Sequence, residues 1–198
     1  MKIGVTGIFA SGKGTVCKMF EELGARIIDT DELARDVVAP GTEGLARLVK
    51  EFGSEILGPD GGLDRRRFGM LVFKDSEKVR RLNQITHPLI LQAAADQFSR
   101  HPDAIFMVNT PLLYEAGFDK FMDQNIVVTA GTDQAVERGV KRDNISAEEI
   151  RDRLNNQISL NEKMKRADHV IDNSGTLENT KNQVIKIWNA LTISTRKE

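Results

Sequence analysis

The fold of this 198-residue chain can be predicted from one nonapeptide, Gly7-Ile8-Phe9-Ala10-Ser11-Gly12-Lys13-Gly14-Thr15. It follows a short apolar run at 3–6 and opens an amphipathic segment at about 13–23 that Gly24 closes. The nonapeptide matches Gly-x-x-x-x-Gly-Lys, a pattern in which a glycine-rich loop joins a strand to a helix. Successive backbone N–H groups of such a loop, together with the helix N-terminus, form a concave anion site. We therefore interpret residues 7–15 as a phosphate-binding loop rather than as a simple glycine turn.

Three residues of this loop carry the predicted chemistry. Gly12 would let the backbone approach a phosphate closely, and Lys13 would place a cation on the transferred group. Gly14 stands where such loops usually carry the Ser or Thr whose hydroxyl touches Mg²⁺. Either Thr15 or a bound water is therefore expected to hold the ion.

The composition is that of an ordinary globular chain, with 40% hydrophobic and 29% charged residues and a net charge of -1. A general nucleic-acid binder would be far more basic, so no nucleic-acid partner is expected. The single cysteine, Cys17, excludes an intramolecular disulfide and favours a reducing compartment. No run approaches the roughly 18 apolar residues of a membrane span. We therefore expect a cytoplasmic protein without a membrane partner.

Short apolar runs alternate with helical periodicity along the chain. Besides 3–6, runs typical of buried strands occur at 26–28, 104–108, 125–129 and 169–171. Strands separated by helices predict an α/β fold with a parallel, five-stranded sheet. The interval from about 31 to 100 is helical in period, and glycines and prolines, Pro88 among them, are expected to separate its helices. It is too long for a simple crossover and is predicted to be a helical insertion.

Two aspartates, Asp29 and Asp31, follow the second predicted strand. Ligands of open parallel sheets bind at the carboxyl ends of the strands. One of these acids could hold magnesium or take the proton from an attacking hydroxyl. Asp31 falls where a helix begins and is our candidate for the general base, whereas Asp29 or Thr30 is expected to cap that helix.

A basic segment lies between 138 and 166, with eight basic and five acidic residues. Arg138 and Arg142 are four residues apart and therefore share a helix face. A mobile lid of this charge would neutralise a transferring phosphoryl group and exclude water. The alternative is a solvated helix face with ion pairs, and we interpret Lys163 in that way.

With these residues, several further segments resemble the dephospho-CoA kinase family over nearly the whole chain. Each segment is a modest signal, but their joint order and spacing are specific. The segments are Ile28-Asp29-Thr30-Asp31, Arg35-Asp36-Val37-Val38-Ala39-Pro40-Gly41, Gly62-Leu63-Asp64-Arg65, Val72-Phe73, Thr86-His87-Pro88-Leu89-Ile90, Pro111-Leu112-Leu113-Tyr114-Glu115, Arg142-Asp143 and Ala167 to Gly175.

The resemblance implies a three-layer P-loop kinase fold and ATP-dependent phosphorylation of the ribose 3′-hydroxyl of dephospho-CoA, the last step of coenzyme A biosynthesis. It implies Mg²⁺ as cofactor and ATP and dephospho-CoA as the small-molecule partners. It further implies one kinase domain over 1–198. The core would be 1–30, 101–137 and 167–198, the CoA-binding insertion about 31–100, and the lid about 138–166.

The resemblance also implies roles for particular residues. The implied catalytic residues are Asp31, Lys13 and Arg142. ATP would contact Ala10, Ser11, Gly12, Lys13, Gly14, Thr15, Arg138, Arg142, Asn173, Ser174 and Gly175. The last three would lie near the adenine and recognise it largely by backbone contacts. The acceptor would contact Asp31, Arg65, His87, Leu113 and Glu115. For His87 a structural role at a helix entry, and for Glu115 a role in positioning the lid or pairing with an arginine, are the alternatives.

Two other functions are compatible with the phosphate loop. The first is a kinase for another small acceptor, such as a nucleoside monophosphate. The second is a nucleotide-binding regulator or a weakly active paralogue. Gly14 favours the latter, as does Asn109, which stands where many relatives have Asp and would hold a magnesium water less strongly.

Overall fold

The computed structural model describes residues 1–155 and 157–195. Asn156 of the predicted lid and residues 196–198 of the predicted core lie outside the described residues. The chain forms two compact units, one made of 1–28 and 103–198 and the other of 29–102.

One five-stranded sheet is present in the described residues, and its strand order is β2-β3-β1-β4-β5. The strands are β1 Lys2–Gly7, β2 Arg26–Asp29, β3 Phe106–Asn109, β4 Gln124–Thr129 and β5 His169–Asp172. Strand β1 runs parallel to both β3 and β4, and β4 runs parallel to β5. The prediction of a parallel α/β sheet is confirmed, since all five strands lie close to the predicted runs.

Nine α-helices lie in the described ranges. They are α1 Lys13–Glu22, α2 Thr30–Asp36, α3 Glu43–Phe52, α4 Arg65–Val72, α5 Ser76–Arg100, α6 Thr132–Asp143, α7 Ala147–Asn155, α8 Leu160–Lys165 and α9 Leu177–Thr195. A capping box starts α7, because Glu149 N donates to Ser146 Oγ at 3.1 Å and Ser146 N donates to Glu149 Oε2 at 3.0 Å. None of these helices has the length and apolar character needed to cross a bilayer.

Helices α1 and α9 pack on the apolar side chains of the sheet in the first unit. The buried cluster includes Val5 of β1, Phe20 of α1 and Leu191 of α9. The ring of Phe20 is fully buried and lies 6.4 Å from the ring of Trp188. Removing this apolar surface from water holds α1 against the sheet. The loop between β1 and α1 is therefore fixed at both of its ends.

The second unit consists of α2 to α5 around a core of its own. Buried members of this core include Leu48, Ile56 and Phe68. The expectation that Pro88 separates two helices is wrong, because α5 continues through Pro88 without interruption. Proline removes one helical hydrogen bond, but the α5 side chains before it pack on the core and outweigh that local cost. His87 consequently lies inside a helix and not at a helix entry.

A buried ion pair joins α8 to the segment after β3. Lys163 is fully buried, and its Nζ lies 3.0 Å from Glu115 Oε1. The same ammonium donates to Pro111 O at 3.1 Å, and Ile158 N donates to Glu115 Oε1 at 3.1 Å. Assigning Lys163 to a solvated surface was therefore wrong. Glu115 holds the chain at Ile158 and at Lys163, on both sides of the start of α8.

We predict that breaking this pair destabilises the protein strongly. Glu115→Gln leaves the fully buried Lys163 ammonium without its counter-charge, which costs about 3 kcal/mol of unfolding free energy. Lys163→Met leaves the Glu115 carboxylate, whose side chain is 17% exposed, and should cost less. The double variant removes both charges and should lose clearly less than the sum of the two single losses. Urea denaturation of the four proteins measures this difference.

An exposed pair serves as the matched control. Arg47 and Glu43 form a 2.6 Å ion pair on α3, with half or more of each side chain exposed. Glu43→Gln should cost less than about 0.5 kcal/mol because water screens the pair. Additive losses at Lys163 and Glu115, or losses as small as that of Glu43→Gln, would contradict the assignment.

Candidate active site

The loop predicted from the sequence connects the end of β1 to the start of α1. Its bend is closed by Ser11 N, which donates to Ile8 O at 3.2 Å. Ala10 and Gly12 both have positive φ angles, of 56° and 93°. A Cβ on Gly7 would lie 2.2 Å from Val128 O of β4, which is far too close. Glycine is therefore required where the loop passes β4, and it is also suited to the left-handed turn at Gly12.

Lys13 lies over this loop. Its Nζ donates to Ile8 O at 3.0 Å and to Gly7 O at 3.4 Å. The ammonium is therefore held at the backbone that the sequence predicts to surround a phosphate. Lys13 is also the first residue of α1, so the positive end of the helix dipole is added at the same place.

Asn173 lies next to the loop, directly after β5. Only 5% of this residue is exposed, and its Nδ2 donates to Ser11 O at 2.8 Å. Thr180 Oγ1 donates to Asn173 Oδ1 at 2.9 Å. The structure thus brings together Ser11, Gly12 and Asn173, three residues predicted to bind ATP. No sequence pattern indicates that the Asn173 side chain points toward the loop.

Both arginines of the predicted lid reach this region. Arg138 Nη2 donates to Asn173 O at 3.1 Å. The Arg142 guanidinium lies 5.0 Å from the ring centre of Phe9 in the loop. It also donates to both carboxylate oxygens of Asp143, at 2.8 and 2.9 Å. These hydrogen bonds raise the pKa of Arg142 above its ordinary value, so the side chain stays fully charged.

The remaining predicted adenine contacts are exposed. Ser174 and Gly175 lie on the surface between β5 and α9. Ser174 N donates to Asp172 Oδ1 at 2.9 Å, and hydrogen bonds from Ser174 lower the pKa of Asp172. Gln134 Nε2 donates to Ser174 O at 2.9 Å. This turn therefore has a defined backbone and outward-facing residues.

Leu113 and Glu115 were both expected to contact the acceptor. Leu113 is fully buried, and a Cβ on Gly4 of β1 would lie 2.9 Å from its Cδ2. Glu115 binds Lys163, as described above. Both residues have packing or anchoring partners within the first unit. Lys163 was missed by sequence reasoning, although it lies three residues after Leu160 and therefore on the same face of α8.

The acidic candidate for the general base lies in the second unit. Asp29 caps α2, because its Oδ1 accepts from Asp31 N at 2.9 Å and from Glu32 N at 3.4 Å. Asp29 is therefore the capping residue, which was one of the two candidates, and Asp31 is the second aspartate. Asp31 is exposed in the first turn of α2, so its carboxylate is not used as the cap.

The other two predicted acceptor contacts also belong to the second unit. Arg65 is the first residue of α4, and its Nη2 donates to Arg35 O at 3.4 Å. His87 is half-buried in α5, and burial lowers its pKa. At neutral pH this histidine is therefore uncharged and can act as a hydrogen-bonding group but not as a cation.

The start of α1 offers space for a metal ion with its water shell. Nothing lies within 4 Å of a Cβ built on Gly14, and Thr15 beside it is exposed. In the ranges 1–155 and 157–195, no group of three or more His, Cys, Asp or Glu side chains could hold an ion. Magnesium bound to a nucleotide usually keeps several waters and few protein ligands. The residues present fit such an ion.

Comparisons with known proteins agree with this geometry. The family model described as Dephospho-CoA kinase matches residues 1–179. A dephospho-CoA kinase of Listeria monocytogenes is 43% identical over 185 residues, which cover 92% of each chain. One of Geobacillus kaustophilus is 41% identical over 197 residues, covering 96% of this chain and 98% of the relative.

Solved structures show the same fold. The protein TT1252 of Thermus thermophilus has a TM-score of 0.86 at 30% identity, covering 96% of both chains. A dephospho-CoA kinase of Campylobacter jejuni has a TM-score of 0.72 at 26% identity, covering 98% of this chain and 99% of that one. The predicted P-loop kinase fold is thus confirmed, and the chain belongs to the dephospho-CoA kinase family.

Proposed function

We propose that this chain transfers the γ-phosphoryl group of ATP to the ribose 3′-hydroxyl of dephospho-CoA, giving CoA and ADP. The observation that carries the proposal is the loop that joins β1 to α1, with Lys13 held over its backbone, in a chain of this family. The single cysteine is consistent with work in the reducing cytoplasm.

The donor side of the reaction rests on the loop. Backbone N–H groups from Ala10 to Thr15 bind the phosphate oxygens, Ser11 N by exchanging its bond to Ile8 O for one of them. The Lys13 ammonium leaves the carbonyl oxygens of Gly7 and Ile8 to neutralise the transferred group. Arg138 and Arg142 stabilise the negative charge that develops on the γ-phosphoryl oxygens during transfer. For this, Arg142 exchanges the carboxylate of Asp143 for a phosphate, which keeps its charge paired.

The acceptor side rests on Asp31. Its carboxylate takes the proton of the 3′-hydroxyl, and the 3′-oxygen bonds to the γ-phosphorus. The bond from that phosphorus to the β–γ bridging oxygen breaks, and ADP leaves with the electron pair. We assign acceptor binding to residues 29–102, where Arg65 is the candidate cation and His87 a neutral hydrogen-bonding group. Leu113 and Glu115 support the first unit from within, and Ser174 and Gly175 remain the candidates for adenine recognition.

Mg²⁺ bound to the triphosphate would supply further charge neutralisation. Thr15 is the side chain that we assign to it, directly or through water, because Gly14 has no hydroxyl. The residues 138–166 would cover the bound phosphates as a lid.

An assay of ADP release over a panel of acceptors tests the proposal. Dephospho-CoA, AMP and shikimate are each supplied with ATP and Mg²⁺, and product is identified by mass. We expect phosphorylation of dephospho-CoA and none of the other two. Turnover of AMP or shikimate without turnover of dephospho-CoA would overturn the assignment.

We predict that Asp31→Asn lowers kcat by about 10²- to 10⁴-fold, the usual contribution of a general base. Binding of ATP should stay within a few-fold, because Asp31 acts on the acceptor hydroxyl. Steady-state kinetics and equilibrium binding of ATP separate the two effects.

Asp29→Asn is the matched control, because asparagine keeps the capping oxygen while the nearby charge is removed. It should retain most of the turnover. If Asp31→Asn weakened ATP binding as much as it lowered kcat, or if the two variants behaved alike, Asp31 would be a structural acid.

We predict that Gly14→Ser strengthens the binding of magnesium. The space around Gly14 is open, so the new hydroxyl fits without displacing a neighbour. One added ligand contact worth about 1 kcal/mol would lower the half-saturating Mg²⁺ concentration about fivefold. A Mg²⁺ titration of ADP binding by calorimetry measures this value. Gly14→Ala adds the Cβ without the oxygen and should not change it; an equal effect of both variants would contradict a role in metal binding.

A further inference from the structure

We infer that Asn173 is a positioning residue that holds the phosphate loop and Arg138 in place for the triphosphate, and that its side chain does not read the adenine. The inference rests on the proposed function. It specifies that Asn173, directly after β5, affects the binding of the triphosphate of ATP and not of its adenine. The resemblance placed Asn173 near the adenine, with recognition largely through backbone contacts, and assigned no separate task to its side chain.

The side chain of Asn173 has a partner at each end. Its Nδ2 donates to Ser11 O at 2.8 Å and its Oδ1 accepts from Thr180 Oγ1 at 2.9 Å, and both hydrogen bonds are buried. Thr180 is itself fully buried in α9. A buried amide with these partners in a low-dielectric interior is rigid and costly to rearrange. It therefore links α9 to the backbone of the loop.

The backbone of Asn173 extends the same connection. Asn173 N donates to Thr129 O of β4 at 2.9 Å, and Asn173 O accepts from Arg138 Nη2 at 3.1 Å. One residue thus joins the sheet, the loop, α9 and α6. Few side chains could substitute for it, since the position demands a donor and an acceptor at fixed places.

Gly12 shows how closely the amide approaches the loop. A Cβ on Gly12 would lie 2.1 Å from Asn173 Nδ2. The left-handed φ of 93° at Gly12 already favours glycine. Gly12 therefore provides the space that Asn173 fills, and the amide supports the backbone just before Lys13.

Arg138 supplies the second reason to link Asn173 to the phosphates. Its Nη2 is held by Asn173 O, whereas its Nη1 is buried without a hydrogen-bond partner among the described residues. That Nη1 lies 4.0 Å from the Cβ position of Gly12. A buried donor without a partner is unfavourable, and a phosphate oxygen bound at this loop would provide its acceptor. Asn173 therefore orients a cation at the place where the triphosphate is proposed to bind.

These contacts leave the Asn173 amide little capacity for a nucleobase. The residue is 5% exposed, and both polar atoms of its side chain are engaged. The amide keeps one further N–H and one further lone pair, but its burial leaves them little access to an adenine edge. Ser174 and Gly175, which are exposed, are better placed for that recognition.

Two variants test the inference. Asn173→Asp places an oxygen against Ser11 O in place of the donor, and Thr180→Val removes the hydrogen bond to Oδ1 from a residue that has no ATP role. We expect each variant to weaken the binding of ATP and of inorganic tripolyphosphate by the same factor. This factor should be about tenfold for Asn173→Asp and smaller for Thr180→Val. The ratio of ATP to GTP affinity should not change. Competition against a fluorescent nucleotide measures all three ligands.

Gln183→Ala is the matched control at the same junction of β5 and α9. Gln183 Nε2 donates to Asp172 O and Asp172 N donates to Gln183 Oε1, both at 2.9 Å, without contact to the loop. Gln183→Ala should lower the thermal stability about as much as Asn173→Asp does, but should leave tripolyphosphate binding unchanged. An equal loss of binding in Gln183→Ala would show that Asn173 acts only through general stability.

The outcomes separate this inference from the proposed function. A changed ATP to GTP ratio with unchanged tripolyphosphate binding in Asn173→Asp would overturn the positioning role and restore an adenine contact. If Asn173→Asp does not fold, unchanged tripolyphosphate binding in Thr180→Val overturns it equally. Failure of the wild-type chain to phosphorylate dephospho-CoA would overturn the proposed function instead, whatever the tripolyphosphate results.

Discussion

The backbone between Gly7 and Lys13 makes a tight turn around the proposed phosphate site, and the rest of the proposed chemistry depends on this turn. It is possible because Cβ atoms are missing where the loop touches its neighbours. A side chain at Gly7 would collide with Val128 O, and one at Gly12 would collide with the Asn173 amide. With both contacts made, the loop is held between β4 and the end of β5, so its N–H groups are arranged before any ligand binds. Such preorganisation is what makes backbone dipoles effective for phosphate binding and transfer.

Buried polar groups hold the surroundings of the loop. Asn173 and Thr180 connect it to α9, while Lys163 and Glu115 fix α8 to the segment after β3. Thr6, the residue before Gly7, donates from its Oγ1 to Pro111 O at 3.1 Å, and this oxygen also accepts from Lys163. A buried ion pair adds little net stability compared with apolar residues. Its value here is that it fixes where the segment after β3 lies relative to the strand that leads into the loop.

Local patterns in the sequence predicted much of the fold and of the donor site. The phosphate loop was recognised from Gly-x-x-x-x-Gly-Lys placed between a strand and a helix, and the short apolar runs marked all five strands. The capping role of Asp29 also followed from local chemistry, since a capping acid is recognised by its distance from a helix start, whereas the base role of Asp31 stays a prediction. The failures share another cause. Pro88 continues a helix because packing along α5 outweighs a lost hydrogen bond. Lys163 is buried because it pairs with Glu115, which lies 48 residues earlier in the sequence. The direction of the Asn173 side chain depends on its hydrogen bond to Ser11, which lies 162 residues earlier in the sequence. No local pattern records such long-range partners.

The most direct test is a crystal structure of the chain with a non-hydrolysable ATP analogue and dephospho-CoA. We expect phosphate oxygens within about 3 Å of backbone nitrogens of the loop. We also expect the Asp31 carboxylate within hydrogen-bonding distance of the acceptor 3′-oxygen. A triphosphate bound away from residues 10–15, or an Asp31 side chain turned away from the acceptor hydroxyl, would contradict the proposed mechanism.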